Sequence, residues 1–266
     1  MYTIIDAHCH IYPDKIAVKA AQATGNFYDI GMLCDGKVST LNELGSKAGI
    51  SHFIVQSVAT APKQVSSINR FISETVKQNS GKMTGLGTLH PESDDILRDV
   101  EELISLGLKG VKLHPDIQGF KIDDFRCLKI YEICEKKHLP ILMHTGDSRY
   151  DNSNPNRLLP ILDIYTDLII IGAHLGGYSL WDEAVKILQQ CPNLYVDTSS
   201  SLFALDKKTA TDYIRMYGTD KVLFGTDYPM WYPDKEIQRF MNLDLTEQER
   251  INILAKNAAN LFDISL

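Results

Sequence analysis

The sequence is poor in tryptophan, with two, and in cysteine, with five, and it has no apolar run near the roughly 20 residues needed to cross a bilayer. The opening MYTIIDAHCH has neither the basic start nor the apolar stretch of a secretory signal, so a cytoplasmic chain with no membrane partner is expected. Cys9, Cys34, Cys127, Cys134 and Cys191 are odd in number and show no CxxC spacing. That pattern signals neither a disulfide framework nor a zinc knuckle, and reduced thiols are expected. Basic residues are also few: 27 Lys and Arg stand against 34 Asp and Glu, a formal charge of −7. A nucleic-acid binder needs clustered cations to displace counterions, so nucleic acid is not an expected partner and a small molecule is. No Gly-rich turn follows the first apolar run, which speaks against a dinucleotide fold. No internal repeat or low-complexity segment is visible.

What is present is the composition of a globular protein, 44% hydrophobic and 23% charged over 266 residues. This is the length at which an α/β barrel closes as one domain, here spanning 1–266. Eight short apolar runs recur: Thr3 to His8, Ser51 to Ser57, Lys82 to Leu89, Leu108 to Leu113, Leu139 to His144, Leu168 to His174, Leu194 to Asp197 and Val222 to Phe224. Amphipathic segments with helical spacing lie between them, among them Lys63 to Gln78, Asp94 to Leu106, Asp123 to Lys137, Trp181 to Gln190 and Lys207 to Tyr217. Alternating strands and helices predict a parallel sheet, and eight pairs predict a distorted (β/α)₈ TIM barrel. The stretch from Ile11 to about Leu41 is long for a connection and is expected to cover the site as a lid. The tail from Leu245 to Asn260 reads as one or two extra helices packed on the outside.

Polar residues gather at the carboxyl ends of these runs, where such a barrel carries its active site. His8 and His10 follow the first run, Lys112 and His114 the fourth, His144 the fifth, His174 the sixth and Asp227 the eighth. Residues two apart on a strand share a face, so His8 and His10 can converge on one ion while Cys9 faces the helical layer. Imidazoles and a carboxylate suit a divalent metal with a position left for water, and His144 and Asp227 are candidates to complete the set. A lone His-x-His equally fits buried structural histidines; the four positions together carry the argument. His174, in GAHLGG, is a candidate general acid or base, because histidine titrates near neutrality. Lys112 could lie on a solvated rim, hold a substrate carboxylate, or carry a carbamate that bridges two metals, with the role toward substrate or site electrostatics ranked first. His114 and His90 precede prolines and fit either the mouth of the site or a turn, while His52 and His138 belong to the opposite end. Tyr12, Arg149, Tyr150, Tyr178, Tyr228 and Trp231 could shape a pocket for a small acidic or aromatic substrate.

The ordered set IDAHCH, KLHP, MHTG, AHLGG, GTDYP and NAANLF resembles the amidohydrolase superfamily over nearly the whole chain, specifically the amidohydrolase-related branch that includes aminocarboxymuconate-semialdehyde decarboxylase. The resemblance implies one divalent metal, zinc first and manganese, iron or cobalt also suited, held by His8, His10, His144 and Asp227. It further implies that His174 acts on the metal-bound water, and Asp227 is expected to move a proton as well as ligate. The TatD-like deoxyribonucleases share the D-x-H-x-H opening but place a glutamate where this chain has Lys112; Asp116 is the nearest carboxylate. The leading expectation is a metal-dependent hydrolase acting on a small organic acid, lactone, ester or amide through activated water. The alternatives are a non-oxidative decarboxylase of an unsaturated or aromatic acid, a TatD-like nuclease, and a non-catalytic ligand-binding barrel. The sequence leaves substrate and oligomeric state open, a homodimer included.

Overall fold

Apolar runs flanked by amphipathic helices bury strands on both faces, which is the setting of a parallel sheet. The computed structural model describes residues 2–266. Its strands are β1 (Ile5–His10), β2 (His52–Gln56), β3 (Met83–Gly85), β4 (Gly87–Thr88), β5 (Val111–Leu113), β6 (Ile141–Met143), β7 (Ile170–Gly172), β8 (Leu194–Asp197) and β9 (Val222–Leu223). Neighbours pair parallel in chain order, β1 to β3 in one sheet and β4 to β9 in another. A single residue, Leu86, separates β3 from β4. Its N–H bonds to Val55 O at 2.9 Å, while the next N–H, of Gly87, bonds to Gly110 O at 2.9 Å. The third run is therefore one strand that changes partner midway. At the other seam Ala7 N bonds to Phe224 O at 2.8 Å and His10 N to Tyr228 O at 2.6 Å, and Cys9 bridges Tyr228. Eight strand positions thus close into the expected (β/α)₈ barrel, which leaves no free sheet edge.

Alternation along the strands makes two cores. Val55, Val111, Ile141, Ile170 and Val196 face the helices, and Ile5, Ile54, Leu86, Leu142, Ile171 and Leu223 fill the interior. Lys112 pairs in register with Leu142, which pairs with Ile171, so Lys112 also points into the barrel. Cys9 belongs to the outer core, on the face away from His8 and His10 as expected, although a register shift in β1 rather than strict alternation puts it there.

The lid segment contains α1 (Ala17–Tyr28) and leads into α2 (Val38–Ala48), and α3 (Val65–Gln78) follows β2. The tail corrects the expectation of helices on the outside. Ala255, Ala258, Ala259 and Phe262 join the inner core, and Asn257 Nδ2 donates to the carbonyls of Thr219 and Val222 at 2.9 and 2.7 Å, where β9 begins. The tail therefore plugs the amino end of the barrel, where the interior needs apolar cover and small alanines permit close approach. No helix among the described residues is long and apolar enough to cross a membrane.

Candidate active site

The site starts from a bulge in β1. Asp6 pairs with Phe53 and Cys9 with Val55, so three steps on β1 match two on β2. The extra residue lets Ala7 stay in the inner core while His8 and His10 project onto the carboxyl rim. The Asp6 carboxylate pins this bulge by accepting from His8 N at 3.2 Å, Thr226 N at 2.9 Å and Thr226 Oγ1 at 2.6 Å.

His8 Nδ1 lies 2.8 Å from Asp197 Oδ2. An ionised carboxylate only accepts, so Nδ1 carries the hydrogen and Nε2 presents its lone pair to the site. Nε2 is 3.2 Å from His10 Nε2, 3.4 Å from Asp227 Oδ1 and 3.2 Å from Lys112 Nζ. One donor atom each of His8, His10 and Asp227 fall within 4.8 Å of one another. His144 stands across the floor: its Nδ1 is 3.1 Å from His174 Nε2, its Nε2 is 3.7 Å from Asp116 Oδ2, and its ring stacks on His114 at 3.9 Å between centroids. His174 Nδ1 faces the Ser199 carbonyl at 3.1 Å and so donates to it, which makes Nε2 the acceptor of the ring, facing His144 Nδ1.

Two of these groups sit on unusual backbone. His174 and Asp227 have φ of +61° and +59°, a region that costs non-glycine residues energy and recurs at functional sites. Asp197 holds the first of these turns, with Oδ1 accepting from His174 N at 3.0 Å and its carbonyl accepting from Leu175 N at 2.7 Å. Gly146 is required nearby, since a Cβ there would lie 2.4 Å from the Gly177 carbonyl carbon. Ser200 Oγ donates to Asp227 Oδ2 at 2.5 Å and accepts from Trp231 Nε1 at 2.9 Å.

Burial dominates the electrostatics. It holds His10, His114 and His144 well below the ordinary imidazole range, helped by the neighbouring Lys112 and other histidines, and brings His174 down to about 4. All four are therefore neutral at pH 7, the form that ligates metal. Burial also lowers Lys112 to about 8, against the pull of Asp197 and Asp227. Burial would raise Asp227, but His8, His174 and His10 more than offset it and the carboxyl lies below its usual value. Two imidazole nitrogens and a carboxylate oxygen converging in a buried site, with one imidazole oriented by a second carboxylate, fit a divalent cation.

A cavity of about 530 Å³ opens above this floor, and Lys112 and His114 line it beside His8, His10, His144, His174 and Asp227. Of the other expected pocket residues Tyr12 also lines this cavity, while Arg149, Tyr150, Tyr178, Tyr228 and Trp231 do not. Arg149 forks onto Asp147 at 2.9 and 2.6 Å and donates to Phe27 O at 2.8 Å, which ties down the end of α1. Tyr228 is buried with its hydroxyl donating to Lys37 O at 2.8 Å, and Trp231 is spent on Ser200. Tyr178 packs its ring behind His174 and His144, at 5.8 and 6.4 Å between centroids. His90 accepts from Glu92 N at 3.2 Å in a turn, and His52 meets Thr84 Oγ1 at 2.9 Å. Sequence reasoning missed Asp197 and Tyr28. Asp197 ends a strand, the same signal that exposed the other site residues. Tyr28, whose hydroxyl is 2.7 Å from His114 Nε2, sits in the lid and has no local signature.

A family model described as amidohydrolase matches residues 5–264. Among curated proteins, the chain is 27% identical over 136 residues to 2-amino-3-carboxymuconate-6-semialdehyde decarboxylase of Dictyostelium discoideum, covering 48% of this chain and 35% of that one. That alignment spans about a third of the relative's length. Gamma-resorcylate decarboxylase of a Polaromonas species is 23% identical over 292 residues, with 87% of each chain covered. Among solved structures, an uncharacterised TIM-barrel protein of Bordetella bronchiseptica superposes with a TM-score of 0.82 at 20% identity, covering 98% of both chains. A dihydroxybenzoic acid decarboxylase of Polaromonas, solved with manganese and the inhibitor 2-nitroresorcinol, gives 0.75 at 19% identity, covering 99% of this chain and 97% of that one. The chain belongs to the amidohydrolase family, in the amidohydrolase-related branch whose motifs its strand ends carry.

Proposed function

We propose that this protein is a metal-dependent decarboxylase of a small aromatic or unsaturated carboxylic acid. This favours the decarboxylase alternative over the hydrolase reading that the sequence put first. The observation that carries it is the placement of Lys112: a fully buried ammonium on the floor of a cavity with largely apolar walls, 3.2 Å from a histidine of the cation-binding group. Both curated relatives named above are decarboxylases, which supports the same reading.

His8, His10 and Asp227 would hold one divalent ion, with His144, which clusters with His114 and Asp116 across the floor, reaching in as fourth donor; zinc and manganese both suit this donor set. When bound, the ion supplies a Lewis-acid centre that binds and polarises oxygen atoms of the substrate. Lys112 draws the carboxylate to the floor and fixes its orientation. The apolar walls exclude water, which disfavours a concentrated carboxylate charge relative to neutral carbon dioxide. The C–CO₂ bond breaks with its electron pair left on carbon, and a proton takes the vacated position, one proton consumed per carbon dioxide released. His174 Nε2 accepts that proton from solvent and delivers it, with Asp227 the second group able to move it.

The test is a screen of the metal-loaded protein against aromatic and unsaturated acids, lactones and esters, with carbon dioxide recorded separately. Carbon dioxide release that stops on chelation and returns with metal is expected. Ester or lactone turnover with no carbon dioxide from any acid would return the hydrolase reading.

A further inference from the structure

The cavity is larger than its reacting end. Above the floor it runs between two helices that each present one face to it. Ala20, Ala23 and Phe27 lie along α1 at helical spacing, and Ile68 and Phe71 do the same on α3. Met32 covers the slot from the lid. Small side chains on α1 keep it open, and Ile68 and Phe71 are only partly covered by the rest of the protein. Among the described residues that line the cavity, Lys112 is the only lysine or arginine and Asp227 the only carboxylate, both on the floor. Neither helical face offers a charge. At about 530 Å³ the space falls within the roughly 300–1,000 Å³ that houses drug-sized ligands, and exceeds what a single bare ring fills.

From this we infer that the substrate is a monocarboxylic acid with an extended, uncharged, apolar body, its carboxylate on Lys112 and its tail in the slot between α1 and α3. A second carboxylate on the tail would face walls that offer the hydroxyls of Thr24 and Ser67 and the amide of Gln64 but no cation, and would recover only part of its lost hydration. An alkyl or aryl extension instead exchanges water for apolar contact. The inference rests on the decarboxylase reading only for the fate of the carboxylate; the shape and charge of the slot stand apart from it.

The experiment is calorimetric binding of a 4-alkylbenzoate series, methyl to hexyl, to the metal-loaded protein, with benzene-1,4-dicarboxylate as the diacid. Affinity is expected to rise about two- to fourfold per methylene until the tail reaches the mouth, with the diacid at least about tenfold weaker than 4-methylbenzoate. Ala20→Phe, which fills the slot, should flatten the series, and Ile68→Gln should reduce its slope should the first variant fold poorly. A flat wild-type series, or a diacid that binds more tightly than the monoacid, overturns the inference. A rising series together with no carbon dioxide from any acid supports the slot and removes only the decarboxylase reading. Carbon dioxide from short acids with a flat series does the reverse.

Discussion

Asp197 Oδ2 lies 2.8 Å from His8 Nδ1, and the same carboxylate receives the backbone N–H of His174, so one buried side chain orients a candidate metal ligand and the candidate base together. A carboxylate behind a ligating histidine fixes its tautomer and raises its basicity. Asp197→Asn should therefore weaken metal binding about 10- to 100-fold, read by competition with a chromophoric chelator while circular dichroism stays native. Unchanged affinity would remove Asp197 from this role.

His174 stands outside the His8, His10 and Asp227 group, although it also falls within 4.8 Å of His8 and Asp197, and its acceptor Nε2 faces His144 Nδ1. His174→Ala should keep its metal, measured by elemental analysis, while turnover falls about 10²- to 10⁴-fold. Full activity in that variant would exclude proton transfer by this ring.

Arg149 is expected to act through the lid. Its guanidinium bonds to Asp147 and Phe27 O and lies over the rings of Phe27 and Tyr28, 5.3 and 5.4 Å from their centroids. Arg149→Ala should loosen α1, raising KM more than it lowers kcat and speeding limited proteolysis between residues 17 and 36. A protease pattern identical to that of the parent chain would show that α1 is held without it.

Glu236 provides a pH signature outside the cavity lining, though near enough to Asp227 and Asp6 for both to help raise it. Burial raises its carboxyl to about 7 despite the adjacent Arg239. The folded protein thus holds a proton that the unfolded chain releases near pH 4.5, so stability falls as pH rises between those values, by at most about 3 kcal/mol. Glu236→Gln removes this titration. Thermal melts from pH 4.5 to 8 should show the parent losing stability relative to the variant, and parallel curves would contradict the assignment.

Much of this arrangement is legible in the sequence because a barrel places the end of every strand on one rim. His8, His10, Lys112, His144, His174 and Asp227 were each marked by a strand end, and all six line one cavity. Aromatic and basic rim residues were harder to place, since a loop fixes no side-chain direction: Arg149 and Tyr228 hold the lid segment instead of facing the cavity. The tail was misplaced for a related reason. Apolar periodicity shows that Ala255, Ala258 and Phe262 share a buried face, but not whether the partner is the outer helical layer or the barrel interior. Tyr28 depended wholly on tertiary folding of the lid.

The most direct test of the central claim follows the carboxyl carbon and the incoming proton together. An aromatic acid labelled with ¹³C in its carboxyl group is incubated in D₂O with the metal-loaded protein and with the chelated protein. The account predicts one labelled carbon dioxide and one deuterium at the vacated carbon per turnover, only in the metal-loaded sample. Label retained in every acid tested, while esters or lactones are cleaved by the same sample, would contradict it.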